Sequence, residues 1–445
     1  MATIVPFQGI RYSQKAGKLD ELVTPPYDVI DPESQDVFYR QSPYNIIRLE
    51  YGKKYATDNR SDNRYTRAAQ FLQQWMQQDV LVKDKEPSLY LYQQEFEVNG
   101  ATMVRTGFVC GVKLEPYDKG IVLPHEETMP KHKADRLELM RACKANFSPI
   151  FGLFVDKDKL VDSLLLEGIQ GRDPDVQFAD WDNQIHRMWV ISDAAVISRV
   201  REAMESQKIF IADGHHRYET ALAYRDERRE AMSGPGENNP YDYVMMTLVN
   251  LYDRGLVILP THRLVKQVDN IDQLIDQLQG DFTIEKLDAN KYYGQPEKIE
   301  ALLKERAGLQ EEAGIKHGHA FALYTGSGRL YLAILKDNSN FKGKTSSGRS
   351  EVWNRLDVSV LQNMVLEKYL GIGAAERASG DYLKYTRDGK EVFRDVDNGS
   401  YNLGIFMNPT LMEEVIQVAG GGERMPQKST FFYPKLITGL VINEL

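Results

Sequence analysis

Four apolar residues, Ile209-Phe-Ile-Ala212, run directly into Asp213-Gly214-His215-His216-Arg217 and then Tyr218-Glu-Thr-Ala-Leu222. A short apolar run bounded by a turn signal reads as a buried strand, and the residues after it read as a helix. Glycine lets the backbone reverse tightly between the two. Strand, turn and helix in such close succession predict an α/β architecture. The turn also holds an acid, two histidines and an arginine at a helix N-terminus. Free amides and the positive dipole end favour an anion there. Arg217 is expected to grip a phosphate bidentately, with His215 and His216 adding donors. Asp213 is expected to hold magnesium or to orient a histidine. The plainer alternative is an Asp N-cap beside two solvent-exposed histidines.

The rest of the composition narrows the function. At 445 residues the chain has room for two or three domains, and 42% hydrophobic with 27% charged residues is ordinary for a globular protein. A formal net charge of −9 argues against a nucleic-acid backbone binder, which carries a basic footprint. The two cysteines, Cys110 and Cys143, form no CxxC pair, so a reducing compartment is expected. The start, Met1-Ala-Thr-Ile-Val-Pro-Phe7, lacks the pattern of a secretory signal, and no apolar run reaches the ~20 residues of a membrane span. A cytoplasmic protein is the expectation, with no nucleic acid and no membrane among its partners.

Along the chain, Leu22–Ile30 carries two prolines and reads as extended before a cap at Asp31-Pro32, and Asn45–Leu49 reads as a strand. Residues 62–78 have helical spacing. The runs 88–96 and 103–114 alternate around Asn99-Gly100, a strong hairpin signal. Thr128 and Pro130 suit a helix start. Strands are predicted at 148–154, 186–191, 244–249 and 256–259, and helices at 194–206 and from the turn to about Met232. Residues 296–313 read as a charged helix with a solvated face. His319–Tyr324 and Arg329–Leu335 flank Gly326-Ser-Gly328 as a second hairpin, and 358–369 and 412–419 read as helices. The domains expected are 1–102, 103–262 and 263–445.

Two further stretches bear on chemistry. In Pro124-His125-Glu126-Glu127, Glu126 is a candidate general base, an effect typically worth ~10²–10⁴ in rate. The alternative is an acidic turn complementing a helix dipole. In Met425-Pro-Gln-Lys428-Ser429-Thr430, a lysine and two hydroxyls after a glycine loop are candidates to grip a carboxylate or phosphate; a plain surface loop is the alternative. Gly343-Lys344-Thr345 mimics the end of a phosphate loop, but Asn338 stands where that motif needs glycine. No GxGxxG follows a strand and no HExxH appears, so His132, His186, His262, His317 and His319 are assigned structural or surface roles.

The order Pro-His-Glu, helix, Ser-Pro-Ile strand and Asp-Gly-His-His-Arg resembles the ParB/sulfiredoxin-like fold, and within it the free serine kinases. Those enzymes phosphorylate serine with ADP or ATP, using a Pro-His-Glu glutamate as base and an Asp-Gly-His-His-Arg phosphate site. Met425–Thr430 resembles their Pro-Lys-Thr-Thr substrate loop, with Gln427 inserted and Ser429 replacing a threonine. The likeness spans about residues 105–445. Over its full length the chain also resembles a widespread bacterial family known only as a domain of unknown function, through Thr24–Ile30, Asp213–Arg217 and Lys428–Pro434.

The resemblance implies a ParB/sulfiredoxin-like α/β (α+β) core with an N-terminal extension and a C-terminal α/β lobe. It implies phosphoryl transfer from ADP or ATP, with Mg2+, to a small hydroxylated metabolite, foremost L-serine. Glu126 is then the base. Asp213, His215 and His216 are catalytic, and Gly214, His215, His216 and Arg217 hold phosphate. Lys428, Ser429 and Thr430 bind substrate. A homodimer is compatible with the sequence. The rival readings are a nucleotide- or effector-binding regulatory protein on the same fold, and hydrolysis of phosphoserine. Tyr27 and Asp28 are further candidates to join the site.

Overall fold

The structure is a computed structural model of the whole chain, and it describes all residues except 99, 127–129, 233–235, 237, 267, 269, 311–313 and 337–347, together with the side chains of 130–132 and 378. Asn99, Thr128, the side chain of His132 and Gly343–Thr345 therefore lie outside the described residues. The fold is mixed α/β, as expected. The chain divides into two compact units: Met1–Pro124, Thr128–Val257 and Pro434–Leu445 form one, and His125–Glu127 with Ile258–Tyr433 the other.

The first unit is built on a nine-stranded mixed sheet. Its strands are β1 (Ile4–Val5), β2 (Leu89–Val98), β3 (Ala101–Lys113), β4 (Val122–Pro124), β5 (Ile150–Phe154), β6 (Val176–Ala179), β7 (Ile185–Ile191), β8 (Ile209–Asp213) and β9 (Tyr243–Asn250). The order is β4-β8-β5-β9-β3-β2-β7-β6, with β1 beside β3. The β2–β3 pair is the predicted hairpin, in register from Tyr90↔Val109 to Val98↔Ala101. The boundary expected at 102/103 falls inside it. β1 and β2, from residues 1–102, are strands of the main sheet. Continuous apolar runs such as β5 and β9 are wholly buried, as strands covered on both faces require.

Helices α1 (Pro32–Gln41), α2 (Ile47–Glu50), α3 (Arg64–Gln77), α4 (Pro130–Cys143), α5 (Leu160–Glu167), α6 (Ala194–Glu205) and α7 (His215–Ala231) complete this unit. Asp31 caps α1 as predicted, accepting from the Ser34 N–H at 2.7 Å. The strand expected at Asn45–Leu49 is instead the α2 turn. The Asn45 side chain accepts from the Ile47 N–H at 2.9 Å and donates to the Glu21 carbonyl at 2.7 Å. Ile46, Ile47 and Leu49 are fully buried. The local Asn45 side-chain bonds and tertiary burial here outweigh the β preference of the isoleucines.

The second unit holds a six-stranded sheet, antiparallel throughout. Its strands are β10 (His262–Val265), β11 (Phe282–Leu287), β12 (Ala320–Tyr324), β13 (Leu330–Leu335), β14 (Leu383–Thr386) and β15 (Leu403–Met407), in the order β11-β13-β12-β15-β10-β14. The second predicted hairpin is β12–β13. The charged helix runs Pro296–Ala307 and ends on Gly308 in the left-handed region. It is not simply a solvated face, because Ile299, Leu303 and Ala307 are buried against the sheet residues Leu264, Ala322 and Leu332. Among the described residues, no helix is long and apolar enough to cross a membrane.

Candidate functional site

The strand-turn-helix of Ile209–Leu222 is β8 running into α7. The pairing of β8 with β5 steps from Ile211↔Gly152 to Asp213↔Phe151, so Ala212 is the extra residue of a bulge. Bulges re-aim side chains at strand ends, and this one precedes Asp213. Gly214 follows at φ 93° and caps α7. Its missing Cβ matters twice. A side chain would be strained at that φ, and a Cβ there would stand 2.8 Å from Arg217 Nε and 2.9 Å from Nη2. The guanidinium lies directly against the glycine.

That placement changes the role of Arg217. Its Nη1 donates to the Pro149 carbonyl at 2.6 Å and its Nη2 to Asp213 Oδ2 at 3.0 Å. Each terminal nitrogen is thus engaged inside the fold through one N–H. Its Nε is a buried donor without a hydrogen-bond partner among the described residues.

Asp213 is likewise engaged on both oxygens. Lys435 Nζ donates to Oδ1 at 3.0 Å while Arg217 holds Oδ2. Burial by itself would raise the Asp213 pKa, but Lys435, Arg217 and His215 outweigh it and hold the carboxyl well below its usual range. Two fixed cations share one carboxylate, so the turn keeps a positive excess at the N-terminus of α7. Lys435 carries no motif and lies 222 residues from Asp213 in sequence. No local signal in the sequence marks it for this role.

The sequence leads one to expect magnesium at Asp213. Both carboxylate oxygens face cations, and among the described residues no group of three or more His, Cys, Asp or Glu forms a metal cage. The residues do not fit a protein-built magnesium site.

His215 is buried and His216 half-buried at the first turn of α7. Behind the turn, Tyr27 from the double-proline segment is buried under the Arg136 guanidinium, whose Cζ stands 4.1 Å from the ring centroid. Burial pushes the Tyr27 hydroxyl up to about 12, against the opposing pull of Arg136 and Arg217. Arg136 also donates to the Glu50 carbonyl at 2.8 Å, and Ser148 to the Glu50 carboxylate at 2.8 Å. Tyr27 and Glu50, from the first hundred residues, thus join Arg136 and Ser148 in the buried polar network beside Arg217.

The second unit gathers the other two predicted segments. The Lys428 N–H donates to Glu126 Oε1, and Glu126 and Met425 form a parallel bridge. Lys428 adopts φ 59°, a left-handed conformation uncommon outside glycine. His125 Nε2 meets Thr430 Oγ1 at 2.8 Å. Ser429 is buried, its hydroxyl donating to the Pro426 carbonyl, while Thr410 donates to the Ser429 carbonyl at 2.7 Å. Ser429 and Thr430 therefore spend these contacts shaping the loop, and Lys428 is its exposed member. Arg263 Nη2 supports the loop from below, donating to the Lys428 carbonyl at 3.1 Å. Glu127 lies outside the described residues.

Glu126 follows Pro124 by two residues, and Pro124 pairs with Ile211 in β8, just ahead of the turn. Lys428–Thr430 precede Lys435, the partner of Asp213, by a few residues.

Among solved structures the chain is similar to a free serine kinase in complex with ADP, at 13% identity and a TM-score of 0.34, covering 72% of this chain and 90% of that one. It is similar to a conserved hypothetical protein from Pyrococcus furiosus at 14% identity and a TM-score of 0.32, covering 72% and 93%. C-terminally truncated SbnI from Staphylococcus aureus gives 11% identity and a TM-score of 0.34, covering 74% and 85%. No curated protein matches the sequence. A family model described as "Protein of unknown function (DUF1015)" matches residues 4–359, and the chain belongs to that family.

Proposed function

We propose that this protein is a phosphotransferase that moves a phosphoryl group from ADP or ATP to a small hydroxylated metabolite, with free L-serine the first substrate to test. The carrying observation is the turn between β8 and α7. There a left-handed glycine opens a 17-residue helix, two cations share one carboxylate, and a buried guanidinium Nε has no partner among the described residues. Phosphoryl transfer relies mainly on positioning and on stabilising charge at the transferring oxygens. In this reading the α7 amides, His215 and His216 hold the phosphate, Gly214 lets them approach it, and Arg217 supplies charge and Nε.

Asp213 acts as a positioning residue that holds Arg217 and Lys435 in place. Glu126 takes the proton from the substrate hydroxyl as that oxygen attacks phosphorus and the bond to the nucleotide oxygen breaks. The Lys428 ammonium meets the substrate carboxylate, while Ser429 and Thr430 fix the loop that presents it.

The test is a coupled assay of O-phosphoserine formation from serine with magnesium and ADP or ATP. Glu126→Gln should lower kcat by about 10²–10⁴, the range for a lost general base. A Glu126→Gln enzyme as fast as wild type removes Glu126 from the chemistry.

A further inference from the structure

A cavity of about 470 Å³ lies within the second unit, with Pro426 and Gln427 of the Lys428 loop in its lining. Its lining combines Arg263, Arg349 and Arg377 with Trp353 and Tyr385 over an apolar floor that includes Leu361. Among the described residues of that lining, no side chain is acidic. Such a volume suits a small organic ligand.

Arg263 is the telling residue. It is buried, and its described hydrogen bonds go to the carbonyls of Thr261 and Lys428. Among the described residues, no carboxylate forms an ion pair with it. A buried charge with no direct ion pair is costly, and burial pushes this guanidinium down to about 10, although the fields of Tyr385 and Glu126 oppose the shift. An anion in the cavity would give it a direct ion pair.

The aromatic groups are paired with the cations. Arg263 stands 4.7 Å from the Tyr385 ring centroid and Arg349 stands 5.2 Å from that of Trp353. Arg377, held by Glu367 at 2.8 Å, adds a third positive group. The wall between them includes Gln362 and Leu366 from a π-helical segment, residues 362–367, that interrupts the helix begun at Asp357. π-segments inside helices frequently mark functional sites.

We infer that this cavity binds an organic anion whose negative group is joined to a flat ring, with Arg263 and Arg349 taking the charge and Trp353 and Tyr385 the ring. Such binding does not depend on phosphoryl transfer at the Asp213 turn, and its readout is affinity rather than turnover.

The experiment is calorimetric titration of the full-length protein with four probes. AMP and indole-3-acetate carry ring and charge together, as phosphate and as carboxylate. Adenosine carries the ring alone and inorganic phosphate the charge alone. At least one of the first two should bind at least tenfold more tightly than both halves, and which one does so identifies the anion. Arg349→Ala, at an exposed position, and Arg263→Lys should each weaken that binding about tenfold or more. Circular dichroism confirms that each variant is folded, and Arg349→Ala carries the test by itself if Arg263→Lys is not. Absence of binding by both joined probes overturns the inference. So does binding of a half as tightly as the whole, or unchanged affinity in folded Arg349→Ala. Loss of phosphotransfer in Glu126→Gln with probe binding intact separates this cavity from the reading above.

Discussion

Replacing Gly214 by alanine tests the turn on two counts that can be separated. At φ 93° an alanine is strained by about 1–2 kcal/mol. Its Cβ would also stand 2.8 Å from Arg217 Nε. A flexible side chain would swing away cheaply, but this one is held by the Pro149 carbonyl and the Asp213 carboxylate. Moving it loses at least one charge-assisted hydrogen bond, worth about 1.5–3 kcal/mol. The expected loss is about 3 kcal/mol, read from urea unfolding followed by circular dichroism; if the units unfold separately, it belongs to the transition of the unit containing β8. In an Arg217→Gln background the contact contribution should disappear, and the cost of Gly214→Ala should fall to the strain alone, about 1–2 kcal/mol. A loss below about 0.5 kcal/mol in the natural background would refute the packing argument. Equal costs in the two backgrounds would refute it too, because the contact could not then be their source.

Asp213→Asn should destabilise the first unit by about 3–5 kcal/mol at pH 7, because Arg217 and Lys435 lose their carboxylate. The folded pKa of Asp213 is depressed, so its contribution is complete above the unfolded value of about 3.9 and is lost as pH falls from there through the lower folded pKa. Unfolding free energies of wild type and variant should converge in acid; a gap as large at pH 3 as at pH 7 contradicts the assignment. Asp253 behaves oppositely. Burial pushes it up to about 6, although the Gly255 and Thr106 amides oppose the shift. Its raised folded pKa means that stability present below about 3.9 is lost as pH rises through about 6. Asp253→Asn should therefore stabilise the protein at pH 8 and not at pH 4, as compared by thermal unfolding at the two pH values.

The β8 turn is legible in sequence because its signals are local: an apolar run, a glycine and a polar cluster within a few residues. The Asn99-Gly100 signal likewise locates the β2–β3 hairpin, and Asp31-Pro32 locates the start of α1. What the sequence does not convey comes from distance. Lys435 reaches Asp213 from the far end of the chain, and nothing around it marks that contact. Arg217 reads as a phosphate ligand by virtue of its neighbours; only the absent Cβ of Gly214 reveals that it folds back. Asn45–Leu49 has strand-like residues, yet its helical turn is dictated by the Asn45 side chain bonded to the Ile47 N–H and by burial. Ser429 and Thr430 read as hydroxyls facing a ligand, but no local signal marks the bonds they make to the Pro426 carbonyl and to His125. Arg263, beside the buried His262, carries no motif at all.

Phosphoryl transfer to a free hydroxyl is tested most directly by ³¹P NMR of the protein incubated with L-serine, magnesium and either ADP or ATP. The expected result is a growing O-phosphoserine resonance that requires serine, with AMP or ADP accumulating to match. Nucleotide that stays intact, or that releases inorganic phosphate at the same rate with and without serine, would contradict it.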